Sequence, residues 1–235
     1  MLSKDLIEAA LQRGRGLYKY TENRWALEMV NKGNFRIGTL FLYRNRERSA
    51  NGIGDSGEGT KATYLQLTGD IDFGQPETVP EFFGLLGDAW NGHGKVTGTG
   101  RIIAMQEAAN CYMFCMTYEV LGPRRSRAKR ISPAYDACVR ILDPARFLGA
   151  LQHALSGAGK VTNRWTCGQC QYLANREQEY SKHADVPAPF IKPRKFIYQQ
   201  EVRAVFEPRG EPSPYVDLTG CEAAEYCRLV SSDEW

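Results

Sequence analysis

The stretch 196-FIYQQEVRAVF-206 is the most strand-like run in the C-terminal half of the chain, and it decides the fold that we predict. Side chains alternate between the two faces of a strand. The mostly apolar face would carry Tyr198, Gln200, Val202, Ala204 and Phe206. Gln199, Glu201 and Arg203 would form a polar row on the opposite face. An outer strand with a solvated Glu–Arg pair is one explanation of this row, and such a pair would add little stability.

Outward from this strand, the chain reads as short strands separated by a few helices. In the N-terminal half we predict helices over 3–13 and 22–32 and strands over 17–20 and 35–44, the last with a kink at Gly38. Asp143 as N-cap, Pro144 in the first turn and Gly157 at the end predict a helix with an apolar stripe. We find no repeat and no composition break. The sequence therefore predicts one strand-rich α+β domain over 1–235, with a mixed or antiparallel sheet core.

Two polar segments carry charges that have both a structural and a functional interpretation. Residues 45–60 are glycine-rich and predict a surface loop, in which Asp55 and Glu58 either bind a divalent ion or are simply solvated. The stretch 123–130 holds five cations and predicts either a solvated loop or a contact with a phosphate backbone. These cations are Arg124, Arg125, Arg127, Lys129 and Arg130.

Composition and charge exclude several classes of protein. The 235 residues are 43% hydrophobic and 24% charged, with a formal net charge of +3, which is ordinary for a globular protein and too even to require an anionic partner. Apolar runs are far shorter than the roughly 20 residues of a membrane span. We find no secretory signal, so the seven cysteines are expected as reduced thiols in the cytoplasm.

No complete motif for a metal site or a nucleophile is present. Cys167, Cys170 and His183 have the spacing of three zinc ligands, but a structural zinc needs four, and strand thiols are the simpler interpretation. The sequence has no G-x-S-x-G motif and no P-loop. We therefore predict no metal site.

The order of the early strand 17-LYKYT-21, a helix, the strand 35-FRIGT-39 and the late Gln199-x-Glu201 resembles the ADP-ribosyltransferase superfamily. In that family an early strand supplies a basic residue or a His, and a late strand carries the catalytic Glu, often as Q-x-E. Lys19 stands where family members have His or Arg. Only Gly38 and Thr39 stand where many of them have Ser-Thr-Ser.

The chain also resembles, along most of its length, an uncharacterised bacterial family found near phage-defence genes. This second resemblance rests on 18-YKY-20, on 35–44, on Asp55-x-x-Glu58-Gly59, on the strand 111–115 and on 198–203. It implies an antiviral defence or toxin effector.

The superfamily resemblance implies an enzyme that consumes NAD as a substrate. Glu201 would stabilise the oxocarbenium-like transition state as nicotinamide leaves, and Gln199 would orient a protein or nucleic-acid acceptor, or water. The expected cofactor contacts are Lys19 and Arg36 at the pyrophosphate, Tyr18, Tyr20 or Tyr43 at the nicotinamide, and Thr39 on the second strand.

Two other functions remain open from the sequence. One is a non-catalytic module that binds a nucleotide, a nucleic acid or a phage protein through the same cleft or through the basic stretch. The other is a metal-dependent hydrolase built on Asp55 and Glu58. The sequence indicates no membrane partner and leaves the acceptor and the oligomeric state undetermined.

Overall fold

The computed structural model describes residues 16–48, 57–69, 71–72, 95–118, 124–180 and 186–231. The helix expected over 3–13 lies outside these residues. Contacts divide the chain into two compact units, the first formed by residues of 1–58, 109–170 and 195–235 and the second by 59–108 and 171–194. The single domain expected from the sequence stays a prediction.

Strands dominate the described residues, and helices are few, as the sequence predicts for the α+β class. The helices are α1 (Asn23–Lys32), α2 (Leu40–Arg48), α3 (Arg124–Ile131) and α4 (Pro144–Gly157). The strands are β1 (Leu17–Thr21), β2 (Phe35–Thr39), β3 (Thr60–Thr68), β4 (Ile71–Asp72), β5 (Lys95–Val96), β6 (Thr99–Glu107), β7 (Tyr112–Tyr118), β8 (Ala137–Ile141), β9 (Val161–Gln169), β10 (Gln171–Leu173), β11 (Glu177–Glu179), β12 (Ile191–Pro193), β13 (Glu201–Pro208), β14 (Tyr215–Leu218) and β15 (Cys227–Leu229). None of the described helices has the length and the apolar composition needed to cross a membrane.

The first unit is built on an antiparallel sheet with β7 at its centre. β13 pairs with β7 along one whole edge, from Glu201 opposite Thr117 to Phe206 opposite Tyr112. A strand has only two edges, so β1 and β2 must share the other one. β1 pairs with Thr117 and Tyr118, and β2 pairs with Tyr112 and Met113. The sheet therefore splits along 114–116, where β1 and β2 diverge.

The two faces of this sheet are covered differently. The larger apolar core joins one face to α1 and α4, and Phe35, Phe114 and Phe147 pack edge-on or tilted within it. The other face carries a smaller cluster of Tyr18, Tyr20, Ala128, Cys138 and Val230. Strand alternation places Thr117, Glu201 and Arg203 on this second face, which we call the site face.

Capping residues in the local sequence determine where α4 begins and where α1 ends. Asp143 accepts a hydrogen bond from the backbone N–H of Arg146 at 3.1 Å, and Pro144 occupies the first turn of α4, which confirms the predicted start of that helix. α1 ends at Gly33, which has a left-handed φ of 66°. The Cβ of any other residue at 33 would lie 2.7 Å from the backbone N and O of Cys221.

Several expected elements differ in the structure. The strand predicted over 35–44 ends at Thr39, because the Thr39 hydroxyl accepts a hydrogen bond from the Leu42 N–H and starts α2. This helix occupies the start of the expected loop 45–60, and β3 takes its end. The basic stretch is the helix α3 and not a loop. The strand expected over 196–206 begins only at Glu201, after a 3-10 segment at Arg194–Gln199.

The second unit consists of small sheets. β3 pairs with β6 antiparallel and with β11 parallel, β10 pairs with β12 parallel, and β4 pairs with β5 antiparallel. The buried Lys61 donates a hydrogen bond to the carbonyl of Val186 at 3.0 Å. The Arg101 guanidinium lies 4.4 Å from the ring centroid of Tyr64.

Replacing Gly33 by Ala should destabilise the first unit more than the backbone angle alone would. The left-handed conformation costs a residue with a Cβ about 1–2 kcal/mol, and at position 33 the close approach of Cys221 adds to this cost. Gly159, with φ of 69° and no atom within 4 Å of a built Cβ, is the matched control. Urea unfolding of Gly33→Ala and Gly159→Ala measures the difference, and equal losses of stability would contradict the close approach.

Candidate functional site

A buried arginine organises the site face. Arg203 lies on β13 with 1% of its side chain exposed, and its guanidinium contacts two carboxylates. Its Nε donates to Oε1 of Glu201 at 2.7 Å, and its Nη1 donates to Oε1 of Glu58 at 2.6 Å. Glu58 keeps 3% of its side chain exposed and Glu201 keeps 9%. Glu201 is thus the most accessible member of this Glu58–Arg203–Glu201 triad.

Glu58 reaches the triad because α2 holds its backbone. The guanidinium of Arg44 donates through Nε and Nη2 to the Glu58 carbonyl at 2.9 and 2.7 Å, and it packs 4.5 Å from the ring centroid of Phe41. The interpretation of Glu58 as a solvated loop residue is therefore wrong, since a carboxylate that is buried needs a counter-ion and Arg203 supplies it. Asp55 lies outside the described residues.

Strand register places Glu201 two strands from Tyr18. Thr117 of β7 lies opposite Tyr18 on one side and opposite Glu201 on the other. The row continues through Arg140 of β8 to Arg228 of β15. At a strand spacing of about 4.8 Å, Tyr18 and Glu201 are roughly 10 Å apart at the backbone. The site face therefore changes from arginines at one end to a carboxylate at the other.

The thiols beside the triad are held in their neutral form. The pKa of Cys115 is raised to about 12, chiefly by burial and also by the charge of the Glu201 carboxylate and a hydrogen bond to it, while the charges of Arg203 and Lys19 oppose the shift. Burial also raises the pKa of Cys111 to about 12, although the charge of Arg203 opposes this. Neutral thiols are poor nucleophiles, so these cysteines favour packing over covalent chemistry.

Arg203 remains charged in its buried position. Burial lowers the pKa of this guanidinium, but Cys170, Glu201 and Glu58 together raise it above its ordinary value. The arginine is thus a permanent cation. Because Arg203 and Glu201 are neighbours on one face of β13, the guanidinium fixes the orientation of the Glu201 carboxylate.

Gln199 does not share the strand face of Glu201, in contrast to the predicted polar row. Gln200 has a left-handed φ of 45°, which breaks the alternation, and its carbonyl accepts a hydrogen bond from the N–H of Tyr118 at 3.0 Å. Gln199 ends the 3-10 segment and is 6% exposed. The alternation holds from Glu201 onward, where Arg203 follows on the site face.

Lys19 lies at the split of the sheet and on the core face. Its neighbours Tyr18 and Tyr20 point to the site face, so alternation directs Lys19 with Leu17 to the opposite one. Its ammonium donates to the carbonyl of Cys115 at 2.9 Å and lies 5.0 Å from the ring centroid of Phe114. The residue of β1 that shares the face of Glu201 is therefore Tyr18 and not Lys19.

Tyr18 and Tyr20 are 2% and 4% exposed, and α3 packs on them. Arg124 lies 4.8 Å from the ring centroid of Tyr18 and donates to its hydroxyl at 3.2 Å. Burial raises the pKa of Tyr20, while a hydrogen bond from Arg127 and the charge of that residue oppose the shift. These contacts assign the two tyrosines to docking of the helix.

The remaining expected cofactor residues lie around β2. Arg36 is exposed and bonds Asp217 at 2.7 and 3.0 Å, with its guanidinium 4.4 Å from the ring centroid of Tyr215. Thr39 is fully buried and caps α2, so we assign it to the fold. Tyr43 covers Gly38, because a Cβ built there would lie 3.3 Å from its ring.

The thiol pair 167–170 does not form a metal centre with other described residues. No group of three or more potential ligands occurs among them, and His183 falls outside them. Burial raises the pKa of Cys167 to about 12, and this residue packs in the larger core.

Comparisons with protein-family models, with curated proteins and with solved structures find no match to this chain. The candidate site therefore rests on the geometry of the Glu58–Arg203–Glu201 triad and its neighbours.

Sequence reasoning missed Arg203 and Arg44 as organising residues. Arg203 was visible only as half of a Glu–Arg pair, and its second partner is 145 residues away in the chain. The signal for Glu58 was its place between a glycine-rich segment and the strand that starts at Thr60, but that signal carries no information on burial.

Replacing Arg203 by Met should destabilise the protein by about 3–5 kcal/mol, because two buried carboxylates lose their counter-ion. The matched control is Arg36→Met, which removes an exposed pair with Asp217 and should cost less than about 1 kcal/mol. Urea unfolding at pH 7 measures both variants. Equal small effects would contradict the triad as a buried unit.

The native thiols should stay far less reactive at pH 9 than an ordinary thiol. An ordinary thiol is largely thiolate at that pH. Cys111, Cys115, Cys167 and Cys227 each have a pKa of about 12, so only about one thousandth of each is thiolate at pH 9. Iodoacetamide labelling at pH 9 with peptide mass spectrometry checks this, with urea-unfolded protein as the control. Labelling of Cys115 that is as fast in the folded protein as in the unfolded protein would oppose it.

Proposed function

We propose that the protein is an ADP-ribosyltransferase-like enzyme that consumes NAD, with Glu201 as its catalytic residue. The observation that carries the proposal is the Glu201 carboxylate itself. It is fixed by Arg203, it is the most accessible acid of the triad, and it lies two strand spacings from the β1 segment that carries the family resemblance.

The charges of the triad favour this role for Glu201. The three residues carry a formal charge of −1, and Arg44 places a second cation at the Glu58 end. Glu201, at the other end, shares one guanidinium and has the Cys115 thiol beside it. A fixed carboxylate in a poorly hydrated site is the group that stabilises a developing cation most effectively.

The reaction needs such a group at the nicotinamide ribose. The bond between the ribose C1′ and the nicotinamide nitrogen breaks, its electron pair leaves with nicotinamide, and positive charge develops on the sugar. Glu201 accepts a hydrogen bond from the ribose 2′-hydroxyl and stabilises that charge. An acceptor nucleophile, or water, then bonds to C1′ and loses a proton. In this proposal Gln199 lies beside the site, at the end of the 3-10 segment. Lys19 stabilises the sheet at the point where β1 and β2 diverge.

Glu201→Gln should reduce nicotinamide release from NAD about a hundredfold or more, since it removes the charge and keeps the shape. The control is Glu207→Gln on the same strand, where the carboxylate is exposed and accepts a hydrogen bond from Thr162. Chromatography of released nicotinamide is the measurement, and thermal unfolding verifies that each variant is folded. Equal release by the wild type and Glu201→Gln, or none from the wild type with RNA, DNA and protein acceptors supplied, would overturn the proposal.

A further inference from the structure

The helix α3 presents a dense positive surface. It carries Arg124, Arg125, Arg127, Lys129 and Arg130 within eight residues and has no acidic residue. Arg125, Lys129 and Arg130 are exposed, while Ala128 is fully buried. The helix therefore has an apolar side toward the sheet and a cationic side toward solvent.

The docking of α3 fixes the direction of these charges. Arg124 packs on the ring of Tyr18 and bonds its hydroxyl, and Arg127 bonds Tyr20 from the next turn. Both tyrosines belong to the site face of β1. The cationic surface is thus held in place by buried aromatic side chains, which lowers the entropic cost of binding a ligand.

The positive surface extends beyond the helix. Arg140 and Arg228 lie in the same row of the site face as Tyr18, and Arg228 is exposed. Among the described residues, no ion pair involves Arg125, Lys129, Arg130 or Arg140. Lys129 donates one hydrogen bond to the carbonyl of Pro133 at 2.8 Å, which leaves its charge unneutralised. The charges of these four residues are therefore available to an external anion.

The C-terminal end of α3 leads toward Glu201. The Arg130 guanidinium lies 4.1 Å from the ring centroid of Tyr198, which belongs to the 3-10 segment immediately before β13. The helix therefore connects β1 to the segment that ends two residues before the candidate catalytic acid. A chain of phosphates that follows α3 would reach the 3-10 segment that precedes β13.

We propose that α3, with Arg140 and Arg228, binds the phosphate backbone of a polynucleotide and brings it to Glu201 as the acceptor. The acceptor role rests on the proposed function, whereas the binding does not. Guanidinium groups suit phosphate because they offer planar paired donors. A membrane surface would require apolar side chains on the outer side of the helix, and α3 turns its apolar residues toward the protein.

Fluorescence anisotropy with a labelled 20-nucleotide RNA and the DNA of the same sequence tests the binding without NAD. The double variant Arg125→Glu with Lys129→Glu should bind at least tenfold more weakly in 50 mM salt. It should also reduce the slope of log affinity against log salt by about 1.4 for single strands, since two phosphate contacts are lost. The two oligonucleotides distinguish an RNA ligand from a DNA ligand.

The matched control is Arg146→Glu with Lys160→Glu, which makes the same charge change at exposed positions outside α3. Arg146 lies on α4, whose apolar side packs on the opposite face of the sheet. We expect the affinity of this control variant for both oligonucleotides to stay within twofold of the affinity of the wild type. Equal losses in the two double variants, no binding of either oligonucleotide, or binding only to phosphatidylserine vesicles would overturn the proposal.

A second measurement separates this proposal from the enzymatic one. Glu201→Gln should bind the oligonucleotides as the wild type does, because Glu201 contributes no positive charge. If it binds but the wild type releases no nicotinamide, the proposed function fails and the polynucleotide surface stands. With labelled NAD, transfer of label to the oligonucleotide should be lost in the α3 variant, and undiminished transfer would overturn the acceptor role.

Discussion

The contact of one buried guanidinium with two carboxylates is the constraint on which the candidate site depends. Arg203 joins Glu58, which precedes β3, to Glu201, which begins β13. Transfer of three charges from water is costly, and it is offset only while their mutual hydrogen bonds are complete. The triad therefore contributes little net stability, but it makes one arrangement of these segments far better than any other. The same contacts fix the direction of the Glu201 carboxylate before any ligand arrives.

The split of the sheet sets where this carboxylate lies. β13 occupies one whole edge of β7, so β1 and β2 diverge along the other edge, and Lys19 supplies the donor that β1 no longer gives to the Cys115 carbonyl. On the site face, the absence of a side chain at Gly38 lets the ring of Tyr43 lie close to β2. That packing positions α2, and α2 positions Glu58 through Arg44. The side-chain packing on β2 and α2 thus also positions Glu58 in the candidate site.

The sequence predicted the elements whose signals are local, and it failed where tertiary contacts decide. α4 was predictable because its N-cap, its proline and its apolar spacing agree. The run 35–44 is apolar and aromatic throughout, so its periodicity could not show that Thr39 would end the strand. α3 has Ala128 and Ile131 as its only apolar residues, and its helix depends on Tyr18 and Tyr20. Nothing in the local sequence indicates that Glu58 is buried, because its partner is distant in the chain.

On the site face, Arg140 and Arg228 are separated from the triad by the width of the sheet. The half-buried Arg140 lies on β8 and the exposed Arg228 on β15, whereas the triad lies at β13, with Tyr18 and Thr117 between them. Three strand spacings, about 14 Å from Arg140 to Glu201 at the backbone, exceed the screening length of about 8 Å at physiological salt. These two cations therefore do not cancel the field of the carboxylate. The two proposed roles require this separation, because a polyanion would be held at one end of the face and a developing cation stabilised at the other.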